Sequence, residues 1–507
     1  MKRILDKLKN INKENLIKYS IIQLITLFIC QNFLQMHYSS DTYVLFNLGY
    51  MAYPSKYFLL DGRLISTLVC YAAGILNIPI PAYIIGMDFI GIIFIGIAIY
   101  LINKIIEDIL KPQNNFFKIL LTASSFVLIL NQFTLEYLLF PESAVMCLGV
   151  LLNVVAIKIM VENKKYKYIK IFFTLLITAL CYQGLLNIFP ALAVMVYVLK
   201  NIVDERKFIA KEKEMILELI KMAVIVVLVL VICLQVVNIG KKALNSNQDR
   251  MMHLKDFEAV MYRAETVAEY MDNLWNKCMY MLPENTYNIM LISSIIFLLM
   301  LRPKFGTFLN YMIQLLVIFA ICVIPMFMFN TGPCGRVNVP LMMIWGIALI
   351  ILLAQSTVVN KPKTTKLLYF LVILSFIVNT VFLMQNITEH IAADRVDQNL
   401  GKTIKYAVDK YEKETGIKIT RFSYTYDLFP QQYAVGIKQI GSLTERKFAC
   451  SWCILQAMEF YCERDFKLVR TRFEREPEYE KIIKKDYEEF TEEQLIFVDD
   501  TLLLVVY

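Results

Sequence analysis

The chain has 507 residues, of which 58% are hydrophobic and only 19% are charged, and its mean hydropathy is +0.53. This composition excludes an ordinary water-soluble globular protein and predicts a polytopic membrane protein. The formal net charge is +8, but the Lys and Arg residues lie in short clusters between apolar segments rather than in one patch. Their distribution therefore indicates membrane topology rather than nucleic-acid binding.

The chain begins with a basic segment, MKRILDKLKNINKENLIK, that runs into an apolar stretch long enough to span a bilayer. No cleavage site of the A-x-A type follows it, so we interpret residues 16–36 as the first transmembrane helix rather than as a signal peptide. Further apolar segments of near-spanning length lie at 82–101, 117–134, 142–160, 215–238, 286–301, 308–329, 338–357 and 367–386.

Residues 168–199 form one apolar run of roughly 48 Å as a helix, which overfills a single span of about 30 Å. The positive-inside rule decides how this run is threaded. A hairpin that turns between Gly184 and Pro190 places 23 Lys and Arg residues in the short inner segments and leaves three in the short outer loops: Lys56, Arg63 and Arg336. We therefore predict about eleven transmembrane helices with the N-terminus in the cytoplasm.

Two further segments are predicted to be helices at the membrane surface. Residues 64–80, LISTLVCYAAGILNIPI, are apolar but interrupted, and we interpret them as an interfacial or partly inserted helix. The long outer loop at 239–285 has apolar residues at helical spacing from Phe257 to Leu274. This pattern predicts an amphipathic helix that packs on the bundle.

The chain after residue 386 is more polar. Residues 392–416 predict a solvated helix that ends at Gly416, and the segments IKITRFSYTYD and QLIFVDDTLLLVVY predict strands. The predicted fold class is therefore mainly α. It consists of a polytopic transmembrane helix bundle at 1–386 and a small extracytoplasmic α/β domain at 387–507.

A small group of charged residues falls at one interface, in the short outer loops: Asp41, Asp61, Arg63, Glu136, Glu142 and Arg336. A carboxylate can act as general base for a hydroxyl, and a guanidinium group matches phosphate in a bidentate fork. The alternative is ordinary loop polarity: Glu142 is also favoured by the dipole of a helix N-terminus, and Arg336 can anchor at the headgroups. Both signs of charge at one face favour phosphate-linked substrates.

The segments HYSSDTY at 37–43 and DGRLIS at 61–66 resemble the first outer loop of the bacterial polytopic glucosyl transferase family, Gtr type II. This family is a group of GT-C membrane glycosyltransferases. The resemblance covers about residues 16–386 and extends to the helix number, the cytoplasmic N-terminus and the external C-terminal domain. The chain departs from the family pattern of two adjacent acids, because Ser40 precedes Asp41.

The resemblance implies an enzyme of the bacterial cytoplasmic membrane that moves a sugar, typically glucose, from a polyprenyl-phosphate-linked donor to an acceptor glycan on the outer face. It implies that Asp41 is the base and that Arg63 or Arg336 stabilises the leaving phosphate. Asp61 and Glu142 would bind substrate, Glu142 by orienting the donor sugar or a cation. No nucleotide site is needed, and no Gly-rich phosphate loop follows a strand.

The expected partners are thus the lipid-linked donor, the acceptor glycan and membrane lipid, without nucleic acid. No cofactor is assigned, although a divalent cation stays open. Asp88 lies inside a predicted span, where an ionisable residue is costly, and we interpret it as a substrate-binding candidate. The histidines are widely spaced, so we interpret them as exposed polar residues rather than a metal site: His37, His253 and His390.

The polar C-terminal region contains the motif CSWC, with Cys450 and Cys453, followed by Cys462. A zinc ribbon needs a fourth ligand at matching spacing, and the sequence lacks one. We therefore predict a disulfide or plain thiols here.

A second function from another class is a flippase or transporter of lipid-linked glycans. Transporters bury ionisable groups at the midplane and carry repeated halves with interrupted helices. In this chain the span centres are nearly free of charge and no internal repeat is apparent. The sequence therefore favours chemistry at the outer surface over translocation.

Overall fold

The structure is a computed structural model that describes residues 13–112, 114–162, 164–204, 208–244, 257–328, 334–359, 361–425, 446–449, 453–469, 477–483, 485, 487 and 490–505. Within these residues the chain is mostly helical, with one small sheet near the C-terminus. This agrees with the predicted class of a helical bundle followed by a small α/β region.

The helices are, in chain order, α1 (Lys13–Cys30), α2 (Ser40–Tyr57), α3 (Leu64–Ile75), α4 (Ile80–Leu110), α5 (Asn115–Ile129), α6 (Gln132–Leu135), α7 (Ser143–Glu162), α8 (Lys167–Cys181), α9 (Ile188–Val203), α10 (Phe208–Ala243), α11 (Phe257–Trp275), α12 (Thr286–Met300), α13 (Phe305–Met328), α14 (Val339–Val358), α15 (Pro362–Thr415), α16 (Ile454–Cys462) and α17 (Pro477–Ile483).

Every apolar segment that was predicted to span the membrane contains an α-helix within its described residues. Among the described residues, eight helices are long and apolar enough to cross a bilayer, or nine if the bent pair at Asn115–Ile129 and Gln132–Leu139 is one span. The helices α8 and α12 have 15 residues each, which is short for a span. Several long apolar helices are what a membrane protein requires.

The apolar run at 168–199 is divided into two helices, as the positive-inside argument predicted. Helix α8 ends at Cys181, Tyr182 is extended, and a 3-10 turn over Gln183–Asn187 leads into α9. The two segments predicted to form surface helices each contain a helix: α3 lies within residues 64–80 and α11 within residues 239–285. Their position at the membrane surface stays a prediction. Helix α11 packs on α13, and the buried Arg263 guanidinium donates to the carbonyl of Met326.

Helix α14 forms the centre of the bundle, because its residues from Val339 to Ser356 are all buried. It packs against α5 and α9, while α4 packs along α7 and α1. A bend of 56° follows α5. The backbone at this break is satisfied inside the protein, because the Asn379 amide donates to the carbonyl of Leu130 at 2.9 Å and Asn131 caps the following turn.

Five helices, α4, α7, α8, α9 and α10, line a cavity of about 940 Å³ next to segments that were predicted on the inner side. Its lining includes Asp108 on α4, Lys164 between α7 and α8, Lys167 at the start of α8, Lys200 on α9 and Glu218 on α10. Lys167 Nζ lies 2.8 Å from the Glu218 carboxylate. We call this the inner end of the bundle.

The C-terminal sheet has the strand order β2-β1-β4-β3, with β1 at Arg421–Tyr424, β2 at Lys467–Leu468, β3 at Leu495–Val498 and β4 at Thr501–Leu504. Strand β1 is parallel to β2 and β4, and β3 and β4 are antiparallel. The strands predicted from both segments are therefore confirmed. The domain boundary at 386/387 stays a prediction.

The predicted solvated helix is present but differs in two ways. It is the continuation of the last apolar helix, since α15 runs unbroken for 54 residues and ends where Gly416 adopts a left-handed conformation. It is also not solvated all round, because Leu400, Ile404 and Val408 pack into the C-terminal core. An apolar stripe within a polar composition accounts for this difference.

Candidate active site

Arg63 lies between two acids at the start of α3. Its Nη1 is 3.2 Å from Glu142 Oε1, and its Nη2 is 3.4 Å from Asp61 Oδ2. The Arg63 side chain is 15% exposed, whereas Glu142 is fully buried. Since a buried carboxylate needs a partner, the guanidinium group neutralises this pocket.

The turn before Arg63 requires a glycine. Gly62 has a φ of +71°, and a Cβ there would lie 2.8 Å from Val237 Cγ2 and 2.9 Å from Gln183 Nε2. The Gln183 amide in turn donates to the backbone carbonyl of Asp61. Glycine therefore allows the DGR segment to pack against the turn between α8 and α9.

Arg336 approaches a different acid, Glu136. The Arg336 amide N–H donates to Glu136 Oε2 at 2.9 Å, and Arg336 Nη1 lies 3.6 Å from the same oxygen. Its guanidinium carbon is 4.6 Å from the centre of the Phe140 ring. A Cβ on Gly335 would come within 2.8 Å of Glu136 Oε1, so a glycine is needed for this approach.

Tyr182 lies between the two arginines. Its ring centre is 4.6 Å from the Arg63 guanidinium carbon, a cation–π distance. Its hydroxyl lies beside the Arg336 side chain, and the charges of Arg63 and Arg336 are close enough to act on each other. Tyr182 therefore joins the two arginines into one site.

Asp41 lies in the first turn of α2, where Ser39 caps the helix. Ser39 Oγ accepts from the Thr42 N–H at 3.2 Å, and Thr42 Oγ1 accepts from the Ser39 N–H at 3.0 Å. This capping box fixes the turn, and the helix N-terminus favours a negative charge at Asp41.

Glu142, the residue before α7, carries a strongly shifted pKa. Burial, together with the negative charge of Asp41, raises its pKa from 4.5 to about 7, although Arg63 opposes the shift. Asp41 is thus close enough to act on Glu142. At neutral pH Glu142 is poised between its neutral and ionised forms, as functional carboxylates often are.

The structure therefore brings together five of the six predicted site residues: Asp41, Asp61, Arg63, Glu142 and Arg336. A family model described as glucosyl transferase GtrII matches residues 62–334, more than half of the chain. The chain belongs to this family. A search of curated proteins found no match.

The GtrII match includes Arg63, Glu136, Glu142 and Tyr182, which form most of the charged site. Asp41 and Arg336 lie outside the matched segment, on either side of it. The structure links both to the matched part: Asp41 acts on Glu142, and Arg336 contacts Glu136. The site of this GtrII protein is thus formed by residues inside and outside the family segment.

The sixth predicted residue, Asp88, does not contact the arginines in any described interaction. It lies on α4, is fully buried, and pairs with His37 at 3.0 Å between Asp88 Oδ2 and His37 Nε2. His390 Nε2 lies 3.2 Å from His37 Nδ1. Direct substrate binding by Asp88 stays a prediction.

The interpretation of the histidines as exposed is wrong for His37 and His390, which are both 1% exposed. His253 lies outside the described residues. The two rings meet because α15 extends beyond the bundle and passes the loop after α1, a contact that no sequence spacing indicates. Among the residues that the structure describes, no three His, Cys, Asp or Glu side chains are grouped to hold a metal ion.

The C-terminal region contacts the helix that carries Asp41. The Tyr43 and Tyr461 hydroxyls are 3.0 Å apart, and the Asn47 amide donates to the carbonyl of Gln456. Tyr43 belongs to the core of the C-terminal region. In that core Cys453 and Cys462 are buried, while Cys450 lies outside the described residues, so its pairing stays a prediction.

Proposed function

We propose that this GtrII protein transfers a sugar, glucose in the first instance, from polyprenyl phosphate to a glycan at the outer face of the bacterial cytoplasmic membrane. Family membership supports the glucosyl transferase activity. The observation that supports the donor and the side of the membrane is the grouping of Asp41 and Glu142 with two arginines. This group lies at the opposite end of the helices from the inner cavity. Helix α7, for example, has Glu142 at one end and Met160 in the inner cavity at the other.

In the proposed reaction Asp41 accepts the proton of the acceptor hydroxyl. The hydroxyl oxygen forms a bond to the anomeric carbon of the sugar, while the bond from that carbon to the phosphate oxygen breaks. The leaving polyprenyl phosphate keeps the electron pair, and the anomeric configuration inverts. General-base assistance of this kind contributes about 10²- to 10⁴-fold to a rate.

Arg63 and Arg336 are proposed to stabilise the leaving phosphate as its charge develops. Both guanidinium groups are held by carboxylates and by Tyr182, and both retain exposure, 15% for Arg63 and 28% for Arg336. Preorganised donors stabilise developing charge because they need no reorientation during the reaction.

The test is a transfer assay in membranes that contain the full chain. Polyprenyl-phosphate glucose with a radiolabelled sugar is supplied with acceptor glycan, with and without Mg²⁺, beside polyprenyl-phosphate galactose and a nucleotide-activated glucose. We expect label in the glycan with the lipid-linked glucose only. Transfer from the nucleotide sugar alone would refute the donor class, and movement of labelled lipid across the membrane without transfer would support a transporter.

The donor KM is expected to depend on pH through Glu142. Below about 7 Glu142 is neutral, so Arg63 can pair with the donor phosphate; above that pH the Glu142 carboxylate competes for Arg63. We expect the donor KM to rise about threefold or more between pH 6 and pH 8, the effect of a modest ion pair. Glu142→Gln should remove this rise. A Gln variant that keeps the wild-type pH dependence of KM would contradict the role of Glu142.

A further inference from the structure

Three fully buried ionisable side chains form a hydrogen-bonded chain between separate elements. Asp88 Oδ2 lies 3.0 Å from His37 Nε2, and His37 Nδ1 lies 3.2 Å from His390 Nε2. Asp88 is 0% exposed, and each histidine is 1% exposed. Buried polar groups of this kind are costly unless they are satisfied, so their arrangement is strongly constrained.

The two distances are compatible with one consistent pattern of donors and acceptors. With Asp88 as the acceptor, the His37 Nε2–H donates to it, and the His37 Nδ1 is left as an acceptor for the His390 Nε2–H. The His37 ring is therefore fixed at both nitrogens, and Phe33 packs against it with ring centres 5.0 Å apart. A ring held in this way fixes the backbone that carries it.

That backbone leads directly into the turn of Asp41. His37 lies two residues before the capping residue Ser39 and four residues before Asp41. At the other end of this hydrogen-bonded series, His390 belongs to α15. Asp394 of the same helix is close enough to His37 to interact electrostatically. The three hydrogen-bonded side chains thus connect α4, the loop that enters α2, and α15.

Asp88 also faces the helix that follows Glu142. The Ser143 hydroxyl lies beside the Asp88 carboxylate, and neither Asp88 Oδ1 nor Ser143 Oγ has a hydrogen bond of standard geometry within the described residues. Helices α4 and α7 are in close contact here, since a Cβ on Gly91 would lie 3.4 Å from the Ser143 backbone. Asp88 therefore lies next to the loop that leads to Asp41 and next to the N-terminus of α7, which follows Glu142.

We propose that Asp88, His37 and His390 are positioning residues that fix Asp41 relative to Glu142, an inference that rests on the proposed sugar transfer. They contact no substrate in this role. Asp88 sets the position of the loop before Asp41 through His37 and lies against the N-terminus of α7 through Ser143. Since displacement of a reacting group by about 1 Å can cost on the order of 10²-fold in rate, this fixation matters for kcat.

The experiment compares Asp88→Ala, Asp88→Asn and the control Asn103→Ala in the full chain. Asn103 is also buried on α4, where its amide donates to Ser125 Oγ at 3.3 Å, so its loss removes a buried polar contact far from the site. Asparagine at 88 keeps an acceptor for His37 and places an amide beside Ser143. Two readouts are used: kcat and donor KM in the transfer assay, and hydrogen exchange of a peptide that covers residues 38–46.

For Asp88→Ala we expect kcat to fall about 10- to 100-fold with donor KM nearly unchanged, and exchange of the 38–46 amides to accelerate. Asp88→Asn should restore both readouts, and Asn103→Ala should change neither. Wild-type exchange or wild-type kcat in Asp88→Ala would overturn the proposal, as would equal effects in Asn103→Ala.

The exchange readout needs no sugar transfer. If the wild-type protein transfers no sugar, the proposed function is refuted. Faster exchange in Asp88→Ala would still support the anchoring of the Asp41 turn. If Asp88→Ala does not accumulate in folded form, His37→Gln replaces it. We expect the same results, because the glutamine amide cannot contact both Asp88 and His390.

Discussion

Replacing Asp41 with asparagine is expected to lower kcat for sugar transfer by about 10²- to 10⁴-fold, the range that a general base contributes. The amide cannot accept the proton of the acceptor hydroxyl at neutral pH. The change is nearly isosteric, and the capping box between Ser39 and Thr42 does not use the Asp41 side chain. We therefore expect the variant to insert and fold as the wild type does. Loss of the Asp41 charge lowers the pKa of Glu142, so we expect the donor KM at neutral pH to rise modestly.

The matched control for this variant is Asp272→Asn. Asp272 lies on α11, a helix that was also predicted on the outer side. It is about half exposed and pairs with Lys277, so it offers a surface acid outside the proposed site. We expect its activity to stay close to that of the wild type. Wild-type kcat in Asp41→Asn, measured in membranes that contain equal amounts of each protein, would remove Asp41 as the base.

Replacing Arg63 with glutamine is expected to lower kcat by about 10²- to 10³-fold, the loss that follows removal of one preorganised donor to a developing anion. It also leaves the buried Glu142 without its guanidinium partner, which destabilises the ionised form of this carboxyl. The single variant therefore tests stability and catalysis together.

The double variant Arg63→Gln with Glu142→Gln separates these two effects. It removes both charges of the buried pair, so we expect folded yield and thermal stability close to the wild type while kcat stays low. Arg63→Lys keeps the charge but loses the fork geometry and the stacking on Tyr182, and should retain only part of the activity. A double variant with wild-type kcat would show that Arg63 serves stability alone.

Much of the fold could be predicted because it depends on local composition. A bilayer core of about 30 Å requires apolar helices of known length. The bias of Lys and Arg toward the inner segments led us to predict two helices, rather than one, in residues 168–199. Gly416 correctly predicted the end of α15, and the two apolar segments near the C-terminus correctly predicted β1, β3 and β4. The union of two predicted helices into α15 could not be read locally, because nothing between them breaks a helix.

The site was predictable only in part. Charged residues in short outer loops of an apolar chain are few, so Asp41, Arg63 and Glu142 could be selected as candidates from composition and topology. Tyr182 was not selected, since a tyrosine at a helix end has many uses. It acquires a role because the turn between α8 and α9 places its ring against Arg63 and its hydroxyl beside Arg336.

The sequence by itself determined the membrane class, the helical segments and the turn in the long apolar run; the outer position of the charges stays a prediction. Each of these follows from short-range hydrophobicity and charge. Only the tertiary structure decided which charges meet. Asp88, His37 and His390 come from three distant segments, and their pairing depends on how α4 and α15 pack around the loop between α1 and α2. Contacts of that range are set by helix packing, for which the sequence carries no local pattern.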